Sequence, residues 1–453
     1  MTTNEIDLIK SIKVMLKRGD TAQIKELFLK LHPADIAELL AEIQNSSQKH
    51  LFKLIDYQKA AEVLDELEPE IQIDIINCLP EGKKEKVIRE MSIDEIVDLL
   101  QVLPENKVEK VLEKLSIDEL ENVKGLLLLS HDSAGGIMTT EYVYIPQDTT
   151  VQEAIKMVRK FGRHAETIYY LYIVDENHKL VGVLSLRELI SAQRNLLVKD
   201  IMHKKVVTVN VDDDQEIAVK TIDKYSLLAV PVIDTNERLI GIITVDDALE
   251  VLKEETTEDI HRMAGITAEE ESVLTSSPIK AFRKRIPWLL VCLIGDLLAG
   301  NVIKGYSSAL EAVIALAFFI PVLMDTGGNV GTQSLALAVR GLATEQLTRD
   351  NIIRNLIHET IAGLIVGTVC GGLFAIVAFF WQGNPYIGIT VGVAMVIGLA
   401  LSALIGMLIP VMLNLFHIDP AIASGPLITT IVDIITLAVY FRAATFFLKE
   451  LVM

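Results

Sequence analysis

The stretch GPLITTIVDIITLAVYF, residues 425–441, is apolar enough to span a bilayer, yet it carries Asp433 near its middle. An ionised carboxylate at that depth costs roughly 2.5–3.5 kcal/mol on insertion scales, so its presence points to a function. Thr429, Asp433, Thr436 and Tyr440 fall at offsets of zero, four, seven and eleven, which puts them on one polar stripe of a helix, expected to face a pore. A second polar set lies in PVLMDTGGNVGTQ, residues 321–333, where Pro321, Asp325, Asn329 and three glycines are expected to interrupt an apolar helix. Irregular backbone at membrane depth is tolerated only inside protein or against water, and broken membrane helices expose oxygens to ions. A packing kink would account for the proline and the glycines, but not for Asp325 and Asn329.

The other residues suited to chemistry are acidic. In VDDALEVLKEETTEDIHRMAG, residues 245–265, Asp247, Glu250, Glu254, Glu255, Glu258 and Asp259 crowd one helical stretch. Like charges three and four apart destabilise a helix, so either solvent and salt screen them or divalent cations sit among them. Asp94 and Asp98 lie four apart on the helix that starts at Ser92 and share one face, for which a solvated acidic surface is the plain alternative.

The elements that must position these groups divide the chain in two. Of the 453 residues 51% are hydrophobic, and the net charge is −19. From Lys280 onward ten Lys and Arg face nine Asp and Glu, so residues 1–279 hold nearly all of that charge. An acidic soluble half precedes a membrane half. Acidic surface argues against nucleic acid as a partner and in favour of cations. Cys78, Cys292 and Cys370 form no close pair, which suggests neither a disulfide framework nor a zinc knuckle. The opening MTTNEIDLIK lacks the apolar core of a signal peptide, so the acidic half is expected in the cytosol.

Residues 1–130 read as an all-α domain of short amphipathic helices, with Ile36, Leu39 and Leu40 or Ile96, Leu99 and Leu100 at helical spacing. SIDE recurs at 92–95 and 116–119, each a capping box, and marks a stacked repeat. Residues 131–200 and 201–252 form a second repeat. Ile137-Met138 returns as Ile201-Met202, and IVDENHKLVGVLSLRE at 173–188 returns as VIDTNERLIGIITVDD at 232–247. Each copy runs from a β-rich stretch through an Asx-type turn to a strand and a helix, and the pair resembles tandem CBS domains. These are α/β modules that often bind adenine nucleotides between copies. Ser185, Arg187 and Glu188 in one copy and Thr244 with Asp247 in the other stand at the Ser/Thr-x-x-acidic pattern that can hold a ribose. ATP in the cleft and a purely structural pair both remain open, and Asp247 has two candidate roles, ribose or metal.

Residues 253–280 connect the halves by the acidic helix and the looser TAEEESVLTSSP, leading into the basic KAFRKR at 280–285. Residues 281–453 hold five apolar segments, at about 287–303, 310–339, 355–381, 385–416 and 426–448, long enough for a ~30 Å hydrocarbon core, with the first marginal and expected to extend a little. Lys280, Arg283, Lys284 and Arg285 precede the first, Arg340, Arg349 and Arg354 follow the second, and WQGNPY after the third is uncharged. The positive-inside rule then puts the N terminus inside and the C terminus outside. Gly363, Gly367 and Gly371, and Gly398, Ser402 and Gly406, repeat every four residues, as in closely packed helices in lipid.

Taken with GGNVGTQ and the aspartate of the last span, this architecture resembles the MgtE family of magnesium channels over essentially the whole chain. The resemblance implies a homodimer lining one pore in a bacterial inner membrane, importing Mg2+ and closed by cytosolic Mg2+. It implies a pore at Asp433, the Thr429 carbonyl, Asn329 and Asp325, with Glu311 near the entrance. It places regulatory metal at Asp94, Asp98, Glu216, Asp247, Glu250, Glu255, Glu258, Asp259 and Asp419. Thr332 stands where the family pattern has asparagine after GNxG, and Ser226 and Leu227 stand where an acidic and an aromatic residue can occur. Two rivals have a sequence basis. A proton-coupled divalent-metal transporter would relay protons through Asp296 and Asp325. An intramembrane aspartyl protease needs Gly-x-Gly-Asp, but LIGD at 293–296 has leucine in place of the first glycine, so no enzyme is expected.

Overall fold

Apolar residues at helical spacing in the first 130 residues become a run of short helices, among them Thr21–Lys30, Pro33–Ala41, Tyr57–Asp65, Glu81–Glu90 and Ile93–Val102. The computed structural model describes residues 3–448 apart from 44, 68, 104–107, 109, 110, 113, 114, 164 and 268–277. The chain forms two units, Met1–Lys253 and Glu254–Met453. In the first, Ile24, Phe28, Ile36, Leu40, Leu64, Val87, Ile88 and Leu99 join one continuous core.

A 24-residue period runs through the bonds that close these helices. Gln48 and Gln72 donate to the carbonyls of Leu40 and Leu64 at 3.0 and 2.9 Å. Lys59 donates to the carbonyls of Phe28 and Leu31, and Lys83 to those of Phe52 and Ile55. Helix C-termini leave such carbonyls open, and a lysine from the next repeat closes them. At Ser92 the capping box forms both of its bonds. The side chains of residues 117–119 in the second SIDE lie outside the described residues, as does 268–277, most of the expected looser connection.

The second repeat folds into two three-stranded sheets of identical plan. β1 (Tyr142–Pro146) is parallel to β2 (Thr167–Val174), which is antiparallel to β3 (Leu180–Ser185). β4 (Val209–Asn210), β5 (Ala229–Ile233) and β6 (Leu239–Thr244) repeat that order. The Asx turns are present: Asp175 Oδ1 accepts from the amides of Asn177 and Lys179, and Asp234 Oδ1 from those of Asn236 and Arg238, at 2.8–2.9 Å. Such side-chain acceptors mimic a backbone turn. Tyr172, Val174, Ala229, Leu239 and Ile242 bury a joint core between the copies.

In the second unit, the helices Pro278–Gly305, Ile352–Gln382, Pro385–Leu415 and Gly425–Phe447, with the run Ile314–Ala343, are long and apolar enough to cross a membrane. The expected interruption at 321–333 does not occur there. Residues Ile320–Ala343 form one uninterrupted helix, and the irregular backbone lies earlier, at Val313 between the short helix Ser307–Ala312 and a 3-10 turn at Ile314–Phe319. Pro321 sits in the first helical turn, where its missing N–H is no loss. The glycines instead bring helices together. A Cβ on Gly327, Gly328 or Gly331 would stand 3.0–3.1 Å from Thr436, Thr429 or Ile428 of the last helix. On the other stripe, Gly363, Gly367 and Gly371 face the carbonyls of Leu399, Val396 and Gly392 at 2.7–2.9 Å from such a Cβ, so small residues set these contacts, as their spacing suggested.

Candidate functional site

The last membrane helix presents Asp433 half-buried, and its Oδ1 is buried with no hydrogen-bond partner among the described residues. Asp296 and Asp325 are the carboxylates whose charge reaches it. Asp325 and Asn329 are exposed on the helix Ile320–Ala343, and Asn329 Nδ2 donates to Asp325 Oδ2 at 3.3 Å. The Thr429 hydroxyl is committed to the Pro426 carbonyl at 2.9 Å. Glu311 lies exposed on the short helix Ser307–Ala312.

The polar stripe does not face a pore along its whole length. Thr436 and Tyr440 are buried, and the Tyr440 hydroxyl donates to the Leu316 carbonyl of the 3-10 turn at 2.9 Å. Only Thr429 and Asp433 of the stripe keep partial exposure.

The connecting helix Val245–Met263 carries its acidic residues across the boundary between the units. In the second unit Glu255, Glu258 and Asp259 are half-buried. Arg262 is ion-paired with Glu258 one turn before it and with Asp419. Asp419 also caps the turn Pro420–Ile422 by accepting from the Ala421 amide at 2.8 Å. Two residues expected at regulatory metal therefore share an arginine.

In the first unit Asp94 is half-buried and accepts from Thr139 Oγ1 at 3.1 Å, while Asp98 and Glu250 are exposed. Thr244 Oγ1 donates to Asp247 Oδ2 at 2.5 Å. Burial pushes Asp247 up to about 7, with the charges of Asp246 and Asp94 adding to it. Burial also raises Asp94. Two neighbours that the sequence does not assign to metal are held as high or higher. Burial together with Glu95, Glu250, Asp94 and Asp98 pushes Asp65 up to about 8, and burial and Asp94 push Glu95 to about 7. Desolvation and mutual repulsion both favour the protonated form of these carboxylates. Glu216 stands apart, ion-paired with Lys220 on its own helix. In the first CBS copy Glu188 is already engaged: hydrogen bonds from Ser185 and His203 hold it down at about 2, and Arg187 beside it is exposed.

Hard oxygen donors suit Mg2+, which keeps several waters and needs only one or two carboxylates. The orphaned, buried Oδ1 of Asp433 fits such a hydrated ion. Among the described residues no three of His, Cys, Asp and Glu converge at metal-ligating geometry within one chain. Glu359 is a membrane carboxylate outside the expected set, and it accepts from Ser334 Oγ at 2.7 Å. The mark of Glu359 in the sequence is a lone acid inside the third apolar segment.

Three family descriptions match successive parts of the chain: the MgtE intracellular N domain at 31–132, the CBS domain at 134–195 and 198–254, and MgtE, divalent cation transporter, at 320–443. The magnesium transporter MgtE of Bacillus subtilis is 41% identical over 320 residues, 71% of this chain and 70% of that one. The chain belongs to the MgtE family. The MgtE magnesium transporter of Thermus thermophilus is 38% identical over 327 residues, 72% of each chain. The crystal structure of the cytosolic domain of the Mg2+ channel MgtE in complex with ATP is 37% identical, with a TM-score of 0.52, and covers 54% of this chain and 99% of that one. The MgtE relatives named here are transporters or a channel rather than enzymes.

Proposed function

We propose that this chain imports Mg2+ as a channel formed by two copies, and that cytosolic Mg2+ closes it. The observation that carries the reading is Asp433, a half-buried carboxylate in a membrane helix with one oxygen left without a partner. Its burial is reasonable if a hydrated divalent ion meets that oxygen, and two such carboxylates across a dimer axis balance one divalent charge. Thr429, Asp325, Asn329 and Glu311 line the approach in this reading. The names of the relatives identify the ion as magnesium.

Closure follows from linkage. Asp94, Asp98, Asp247 and Glu250, with Glu255, Glu258, Asp259 and Asp419, are carboxylates that a divalent ion draws together, and Glu216 belongs to the same regulatory set. A ligand that binds the compact arrangement more tightly shifts the population toward it. With the N terminus and CBS pair inside and the C terminus outside, the sensed pool is cytosolic. In the CBS pair ATP is proposed to bind through Ser185, Arg187, Glu188 and Thr244, supported by the ATP complex of a relative.

A proton-coupled carrier is the second reading, because Asp296 and Asp325 lie within electrostatic reach of Asp433 and could pass a proton. Uptake of Mg2+, Co2+ and Mn2+ by the purified chain in liposomes, with and without a proton gradient, tests both. Channel function predicts Mg2+ flux that ignores the gradient; flux that requires it replaces the channel with the carrier.

A further inference from the structure

A groove of about 470 Å³ runs between the fourth and fifth membrane helices, lined by Val393, Ile397, Ala438, Val439, Ala443 and Phe446. Its lining surface is wholly apolar, with Arg442 contributing its stem while the residue itself is exposed. The Arg442 guanidinium has no hydrogen bond or ion pair among the described residues. Arg442 is nine residues beyond Asp433 on one helix, which at ~100° per residue puts the two on opposite faces. The arginine therefore points away from the carboxylate.

A cation at the end of a membrane helix needs either water or an anion, and its stem lies along apolar surface while the head reaches for one. We propose that this groove is a binding site for an anionic phospholipid, with an acyl chain along Val393, Ile397 and Ala438 and the headgroup phosphate on Arg442. The volume lies in the roughly 300–1,000 Å³ range of small-molecule sites, and the planar guanidinium suits a phosphate. A second copy of the chain fits the groove poorly. Two-fold contacts bring the same patch together on both subunits, and here that would set two arginines face to face with no acidic residue in the lining.

The test uses the full chain in detergent, titrated with phosphatidylglycerol or phosphatidylcholine and followed by native mass spectrometry. The wild-type chain should retain phosphatidylglycerol in preference to phosphatidylcholine. Arg442→Gln should lower that preference about fivefold, and Arg442→Lys should keep much of it. Ala438→Phe, which fills the groove, should reduce retention of both lipids. An unchanged preference in Arg442→Gln overturns the proposal. So does disulfide cross-linking of two chains through Ile397→Cys, which would place a second copy in the groove.

Discussion

Arg262 is ion-paired with Asp419, tying the end of the connecting helix to the turn just before the last membrane helix. The same guanidinium also holds Glu258, so a fixed cation occupies a position between two carboxylates that regulatory Mg2+ is proposed to use. Part of the hold at this junction therefore needs no metal. Arg262→Gln removes that part and leaves the two acids without the arginine's charge. Flux at low cytosolic Mg2+ should rise, and the ratio of flux between low and saturating Mg2+ should widen by about two- to fivefold, the scale of a partly exposed ion pair. Liposome uptake at graded internal Mg2+ measures it, and an unchanged ratio would assign Arg262 no role in closure.

Neutralising Asp247, Glu255, Glu258 and Asp259 together should leave transport intact and remove inhibition by internal Mg2+. Their like charges repel unless cations bridge them. Inhibition that survives in that variant refutes the sensor.

Stability of the cytosolic half should depend on pH in an unusual direction. Asp65 is held up to about 8, and Glu95 and Asp247 to about 7, against unfolded values near 4. A raised acid favours the folded state while protonated, so its contribution is complete below about pH 4 and is lost as pH rises through about 7–8. Without divalent cations the helices Tyr57–Asp65 and Ile93–Val102 should exchange amide hydrogens faster at pH 8 than at pH 6, once corrected for intrinsic exchange. Added Mg2+ should restore protection at pH 8. Equal protection at both pH values would place these acids outside the sensing group.

How much of this was legible in the sequence depended on whether a residue acts through its own element. The Asx turns at Asp175 and Asp234, the Ser92 cap and the small-residue stripe at Gly363, Gly367 and Gly371 are local patterns, and each formed as its spacing implied. The glycines of GGNVG misled, because a glycine that admits a neighbouring helix and one that breaks its own look alike in sequence. Tyr440 falls on the polar stripe by its spacing, although its partner, the Leu316 carbonyl, lies 124 residues away. Asp65 and Glu95 carry no local signature; their neighbours come from tertiary approach, and Glu95 reads simply as the third residue of a cap.

The tight helix contacts give a stability prediction. A Cβ on Gly406 would overlap the Gly331 carbonyl, which is backbone and has nowhere to go, whereas Gly372 has open space. Gly406→Ala should destabilise by about 1–3 kcal/mol, the usual cost of overpacking, and Gly372→Ala should be close to neutral. Thermal melts in detergent compare them, and equal melting points would mean that the contact relaxes freely.

The central claim is that Asp433 recruits the permeant ion, and its charge can be removed while size and polarity are kept. Asp433→Asn lowers the cost of the last span in the bilayer, so folding and pairing should survive. If the carboxylate served only to tie helices by a hydrogen bond, asparagine would substitute with little effect on transport. The decisive measurement is Mg2+ and Na+ flux through purified Asp433→Asn in liposomes, after gel filtration has established a folded dimer. The account predicts strongly reduced Mg2+ flux with poorer exclusion of Na+; wild-type Mg2+ selectivity in that folded variant would contradict it.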